Sequence, residues 1–172
     1  MKVKILLIII ATLIIAGCTQ EVKQMGELKL TSTAFKDQEN IPPKYTCQGD
    51  NTNPELTISG IPERTKTLAL ILDDPDAPSG TFNHWTIFNI QPTEKIAESS
   101  APQESTQGKN SAGKNSYTGP CPPSGTHRYI FNLYALDTEL TLDATATSKD
   151  LRKAMEEHIL AQTTLTGLYQ KK

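Results

Sequence analysis

Basic charge is in short supply in this chain: 17 Lys and Arg stand against 19 Asp and Glu, for a net charge of −2 with histidine neutral. That balance argues against the basic surface with which proteins hold a nucleic-acid backbone, so no nucleic-acid partner is expected. Cysteine is scarcer still, three residues in 172, and none stands in a CxxC or CxxH pair, which removes the compact zinc site built from neighbouring ligands. Only three histidines are present, without HxD or HExxH spacing, and no GxSxG elbow offers a nucleophilic serine. No internal repeat divides the chain. The single long hydrophobic run, residues 5–16, ends short of the roughly 20 apolar residues that span a bilayer.

The flanks of that run explain it. Lys2 and Lys4 make a basic start, and Ala16 and Gly17 lead from the apolar stretch into Cys18, the layout of a secretory signal. Ile15-Ala16-Gly17-Cys18 resembles a prokaryotic lipobox, in which cleavage leaves Cys18 as the first mature residue, carrying lipid. Residues 1–17 are therefore expected to be a signal peptide, 18–27 a lipidated cysteine and tether, and 28–172 one folded domain of a usual size. The polar residues 19–27 reach roughly 30 Å at full extension. The domain is expected in the cell envelope, lipid-anchored to a membrane and facing outside the cytoplasm. Loss of Lys2 and Lys4 takes the net charge from −2 to −4.

With Cys18 consumed by lipid, Cys47 and Cys121 remain as an even pair in a compartment that permits oxidation. Two readings stand: a disulfide, or two buried free thiols. Sequence does not choose between them, because bridging depends on the distance between Cα atoms.

Short stretches rich in β-branched and aromatic residues predict strands over 28–33, 55–59, 67–72, 85–90, 129–136 and 165–169. Leu68-Ala69-Leu70-Ile71-Leu72 is apolar throughout, the pattern of a central strand covered on both faces. One helix is predicted after Thr147, which forms a capping box with Asp150. Leu151, Met155, His158 and Ile159 share its apolar face, so His158 reads as a packed or hydrogen-bonded core residue. Residues 91–126 are rich in Ser, Gly, Pro, Asn and Lys. A loop of that length is uncommon unless functional or disordered, and 102–114 is expected to be its mobile part.

Two segments carry the chemistry. Asp74-Pro75-Asp76-Ala77-Pro78 and Gly119-Pro120-Cys121-Pro122-Pro123-Ser124-Gly125-Thr126-His127-Arg128-Tyr129 each join titratable side chains to residues that fix the backbone. Pro75, Pro78, Pro122 and Pro123 set φ and lose little entropy when a ligand arrives, while Gly119 and Gly125 allow close approach. Asp74 or Asp76 can fix an imidazole's tautomer and favour its charged form. His84 and His127, each at the start of a strand, can then donate to phosphate or carboxylate oxygens, and Tyr129 adds a hydroxyl. Taken singly, Asp74-Pro-Asp reads as a turn and His127 as a surface residue. Two such motifs at strand ends beside a long loop read as one small, preformed anion site.

The segments DDPDAPSGTFNHW and GPCPPSGTHRYIFNLYALD resemble the two signature segments of phosphatidylethanolamine-binding proteins, in particular their prokaryotic Raf kinase inhibitor-like branch. The similarity extends through Ile41-Pro42-Pro43-Lys44-Tyr45-Thr46-Cys47 and residues 160–169. It implies a mainly β fold, an antiparallel β-sandwich with peripheral helices, and a small pocket for phosphate-like anions or phospholipid headgroups. Carried over by position, Asp74, Pro75, Asp76, Pro78 and His84 match the first pocket segment, and Gly119, Pro122, Pro123, His127 and Tyr129 the second. Reversible anion binding without cofactor or metal is the expected function. The alternatives are an inhibitor or regulator of an envelope protein such as a protease, and a weak or metal-dependent hydrolase using the two histidines and a carboxylate.

Overall fold

In the computed structural model residues 27–172 are described; the expected signal peptide, Cys18 and almost all of the expected tether lie outside the described residues. In chain order the elements are β1 (Lys29–Ser32), β2 (Glu39–Asn40), a 3₁₀ turn (Pro43–Tyr45), β3 (Leu56–Ser59), β4 (Thr67–Asp74), β5 (Phe82–Ile90), β6 (Lys95–Ile96), β7 (Thr106–Gln107), β8 (Thr126–Leu136), α1 (Ser148–Met155) and β9 (Ile159–Gln170). They form a three-stranded sheet, β1-β3-β6, and a six-stranded sheet, β2-β9-β8-β4-β5-β7. Every ladder is antiparallel except the two-residue β2–β9 pairing, which is parallel.

The centre of the large sheet follows from its residue pattern. Every residue of β4 is buried, and alternation sends Leu68, Leu70 and Leu72 into the core shared with Leu30, Leu56 and Ile58 of the small sheet. Ala69 and Ile71 point the other way, into a second cluster with Leu151 and Met155 of α1. Burial of one such leucine contributes about 1.5–3 kcal/mol. On β8 the alternation is partial for the same reason: Tyr129, Phe131 and Leu133 face the inter-sheet core, whereas the opposite face is open near Arg128 and covered by the α1 cluster at Tyr134 and Leu136.

β5 carries a bulge. Leu68 pairs with Ile90 and Leu70 with Ile87, so one residue is extra on β5. Asn89 absorbs it at φ 54°, and its side chain bonds both backbone groups of Leu140 at 2.8 and 2.9 Å. The bulge keeps Ile87 and Ile90 in one core and turns Phe88 into the other.

Three sequence expectations need correction here. The capping box of Thr147 and Asp150 is formed, but the helix ends at Met155, and a turn closed by the His158 amide to the Met155 carbonyl starts β9. His158 is therefore not a core residue: its side chain is 44 % exposed and bonds Asp137 through Nδ1 at 2.9 Å. The last strand begins at Ile159, not 165, because its first half pairs with β8 while showing solvent its Gln and Thr side chains, which hide it from a hydrophobic reading. Segment 102–114 contains β7 and is anchored by Asn110, which is 6 % exposed. Its amide donates to the carbonyls of His84 and Ser116 and to the Thr118 hydroxyl, and its oxygen accepts from the amides of Ala112 and Lys114.

Candidate functional site

At one end of the large sheet, β4 finishes, β5 and β8 begin, and the loop 118–123 folds across them. Together they enclose a cavity of about 210 Å³ lined by Asp74, Pro78, Phe82, His84, Gly119, Pro122, Pro123, His127 and Tyr129, with Ala77, Thr118 and Cys121 completing the wall. Alternation on β4 and β5 sorts the polar residues of this sheet end. Asp74 and His84 line this cavity, while Asp73 and Asn83 line an open groove of about 690 Å³ beside α1. There Asp73 is held by Arg152 and by the Asn83 amide.

The loop is fixed by the segment that follows the 3₁₀ turn. Cys47 and Cys121 are bonded as a disulfide, with Cα atoms 5.4 Å apart. Beside it the Cys47 amide donates to the Pro120 carbonyl at 3.1 Å, and the Gly119 amide to Asn51 Oδ1 at 2.7 Å. A Cβ on Gly119 would stand 2.6 Å from the Tyr45 carbonyl oxygen and 2.9 Å from Thr46 Cα. The glycine is there for close backbone approach.

Inside, His127 Nδ1 donates to Asp74 Oδ2 at 2.7 Å, with side chains only 8 % and 5 % exposed. The other carboxylate oxygen, Oδ1, accepts from the Asp76 amide at 2.9 Å, so both oxygens of Asp74 are used. The ring nitrogen of His127 left for a ligand is Nε2. His84 Nδ1 lies 2.7 Å from the Thr118 carbonyl oxygen, and burial pushes its pKa below the ordinary imidazole value, against smaller opposing contributions from Thr118 and Asp74. The expectation that His84 donates from a charged ring is therefore opposed by its surroundings, and Asp74 is hydrogen-bonded to His127 rather than to His84. Tyr129 is fully buried and its hydroxyl has no hydrogen-bond partner. Burial first, then the Asp74 charge, pushes its pKa upward.

Three of the expected site residues, Pro75, Asp76 and Gly125, do not line the cavity. Asp76 faces outward and holds Arg128 in a two-pronged ion pair, Oδ2 to Nε at 2.9 Å and Oδ1 to Nη2 at 2.7 Å, while Oδ2 also accepts the Arg128 amide. These bonds lower its pKa to about 2. Asp76 thus buckles the β4–β5 loop to the start of β8. Pro75 lies between the two aspartates, and Gly125 takes φ 68° in the turn before β8. Phe82 was missed from sequence although it stands two residues before His84 and shares its face of β5, with ring centroids 4.8 Å apart. Thr118 and Cys121 were missed as wall residues because each enters through the loop's path rather than a strand period. Among the described residues no group of three His, Cys, Asp or Glu side chains is gathered as a metal ion requires.

Comparison with known proteins agrees on one family. The family model described as phosphatidylethanolamine-binding protein matches residues 31–170. A UPF0098 protein of Methanothermobacter thermautotrophicus is 48 % identical over 150 residues, covering 84 % of this chain and 99 % of the relative. A UPF0098 protein of Pyrococcus horikoshii is 44 % identical over 176 residues, covering 96 % and 88 %. Among solved structures, a phosphatidylethanolamine-binding protein homolog of Chlamydia trachomatis superposes with TM-score 0.82 at 40 % identity, over 85 % of this chain and 99 % of that one. Escherichia coli YbcL, described as a member of the mammalian family, superposes with TM-score 0.80 at 30 % identity, over 86 % and 100 %.

Proposed function

The chain belongs to the phosphatidylethanolamine-binding protein family, and from that premise we propose that its pocket reversibly binds the oxyanion of a phosphate-bearing small molecule or phospholipid headgroup. One observation carries the reading: the buried Asp74–His127 pair leaves Nε2 of His127 for the cavity, beside the unpartnered hydroxyl of Tyr129. A buried polar atom without a partner calls for one, and a charged imidazole donating to an anion makes a bond roughly twice as strong as a neutral one. Pro78, Pro122, Pro123 and Phe82 supply a rigid apolar wall, which suits a ligand whose charge is confined to one end.

The reading is one of binding rather than turnover. Neither Ser79 nor Ser124, the serines within and beside the motifs, lines the cavity, so no serine hydroxyl stands there as a nucleophile. We also propose, from the leader and the Ile15-Ala16-Gly17-Cys18 motif, that lipid on Cys18 holds the domain to an envelope membrane. Metabolic labelling with a radioactive fatty acid, lost in Cys18→Ser, is the expected result.

Calorimetric titration with phosphate, phosphoethanolamine and a short-chain phospholipid tests the binding. Saturable heat from at least one of them in the native protein, lost in His127→Ala with the fold intact, is expected. Binding that survives this substitution would remove His127 from the site.

A further inference from the structure

His84 is the pocket histidine without a carboxylate partner. The carbonyl of Thr118, 2.7 Å from its Nδ1, can only accept, so Nδ1 carries the proton. Asp74 on the neighbouring strand has both oxygens engaged, by His127 and by the Asp76 amide. His84 is 5 % exposed, with the ring centroid of Phe82 at 4.8 Å and that of Tyr129, edge-on, at 5.2 Å. A second proton on Nε2 would place a desolvated cation there without a hydrogen-bonded counter-charge. The titratable groups facing it are Asp74 from β4 and His127 and Tyr129 from β8; the loop adds only Cys121, which is bridged. The ring therefore presents a lone pair to the cavity.

We propose that the pocket takes an oxyanion that brings its own hydrogen-bond donor, as a singly protonated phosphate monoester does, and discriminates against a diester anion that has none. The inference rests on the anion-binding reading above and adds a polarity to it. Protonated His127 and the Tyr129 hydroxyl donate to ligand oxygens, while Nε2 of His84 accepts from the ligand's P–O–H. A diester of the same charge sets an oxygen lone pair against the lone pair of His84, leaving two acceptors unpaired in a buried site. An ammonium carried beside a diester phosphate supplies the same kind of donor.

The test is calorimetric titration of the full-length protein in detergent at about pH 5.5, below the second pKa of a phosphate ester near about 6. Methyl phosphate and dimethyl phosphate then carry mostly the same single charge. Methyl phosphate is expected to bind at least about tenfold tighter. His84→Gln is expected to narrow the ratio to below about threefold, because its amide can turn N–H toward a diester oxygen. The methyl ester of phosphoethanolamine separates the sources of the donor. Binding as tight as methyl phosphate is expected, because the ammonium then supplies the donor; binding no better than dimethyl phosphate overturns the ammonium's part in the inference and confines the donor to P–O–H. Dimethyl phosphate within about threefold of methyl phosphate in the native protein overturns it while leaving the anion pocket standing. So does a ¹⁵N spectrum of the methyl phosphate complex showing Nε2 of His84 protonated, a measurement that needs no variant to fold. If no ester binds, the anion-binding reading fails and this inference with it.

Discussion

Nδ1 of His127, in the second residue of β8, donates at 2.7 Å to Asp74, the last residue of β4, across 53 residues of chain. The two strands pair as far as Asp73 and Ile130, so the hydrogen bond is made where the backbone ladder stops. Replacing Asp74 by Ala leaves a buried imidazole N–H without an acceptor and frees the Asp76 amide. The expected cost is about 1–3 kcal/mol, read from urea unfolding, together with loss of phosphate binding. A variant as stable as the native protein that still binds phosphate would separate the pair from both roles.

The disulfide between Cys47 and Cys121 closes a loop over a sequence separation of 74 and places a wall residue of the pocket at one end. Chain-entropy arguments for a loop of that length give about 4 kcal/mol of stabilisation. Reduction, or Cys47→Ser with Cys121→Ser, is expected to lower the urea midpoint by a corresponding amount. It should also weaken phosphate binding, because the loop 118–123 then loses its covalent tie to the 45–51 segment and is joined to it only by the Cys47–Pro120 and Asn51–Gly119 hydrogen bonds. A midpoint unmoved by reductant, with loss of the bridge verified by thiol counting, would contradict this.

Acid should act in two separate windows. The folded pKa of His84 lies below its ordinary value of 6.5, so the unfolded chain takes up this proton first. Stability from the neutral ring is present above about 6.5 and declines as pH falls from there toward the folded value. His84→Gln should flatten that part of the curve. Asp76 is shifted from 3.8 to about 2 by Arg128; its contribution is present above 3.8 and is lost as pH falls through about 2. Asp76→Asn should flatten only the lower window. Urea midpoints measured from pH 7 to pH 2 on the three proteins check the assignment, and a His84→Gln curve parallel to the native one throughout would refute the first window.

Much of this was legible in the chain because strand periodicity and local backbone chemistry are written in adjacent residues. The apolar run of β4 announces a strand buried on both faces, and Asp74, His84 and His127 at strand ends announce a polar site. What sequence hides is pairing across distance. Nothing in DPDAP says that Asp74 turns inward to His127 while Asp76 turns outward to Arg128, since both are aspartates in one turn. The polar first half of β9 is a strand only because β8 lies beside it. The two histidines look equivalent until the fold gives a carboxylate to His127 and a carbonyl to His84.

Asn110 shows the same limit within the long loop. In sequence it is one polar residue among many, yet its buried amide reaches the carbonyls of His84 and Ser116 and the hydroxyl of Thr118, and its oxygen receives two backbone amides. The Thr118 amide meets the same His84 carbonyl at 3.0 Å, and the Thr118 carbonyl orients the His84 ring. Asn110 thus ties the 110–114 turn to the strand and loop that hold His84. Asn110→Ala strands several buried groups at once, and since each costs about 1–3 kcal/mol, a loss above about 2 kcal/mol is expected. Amide exchange should rise at Ala112, Lys114 and Thr118 well before it rises in β4, whose ladder Asn110 does not touch. Uniform acceleration across the sheet would show that Asn110 acts on global stability alone, and unchanged exchange at Thr118 would remove it from the support of His84.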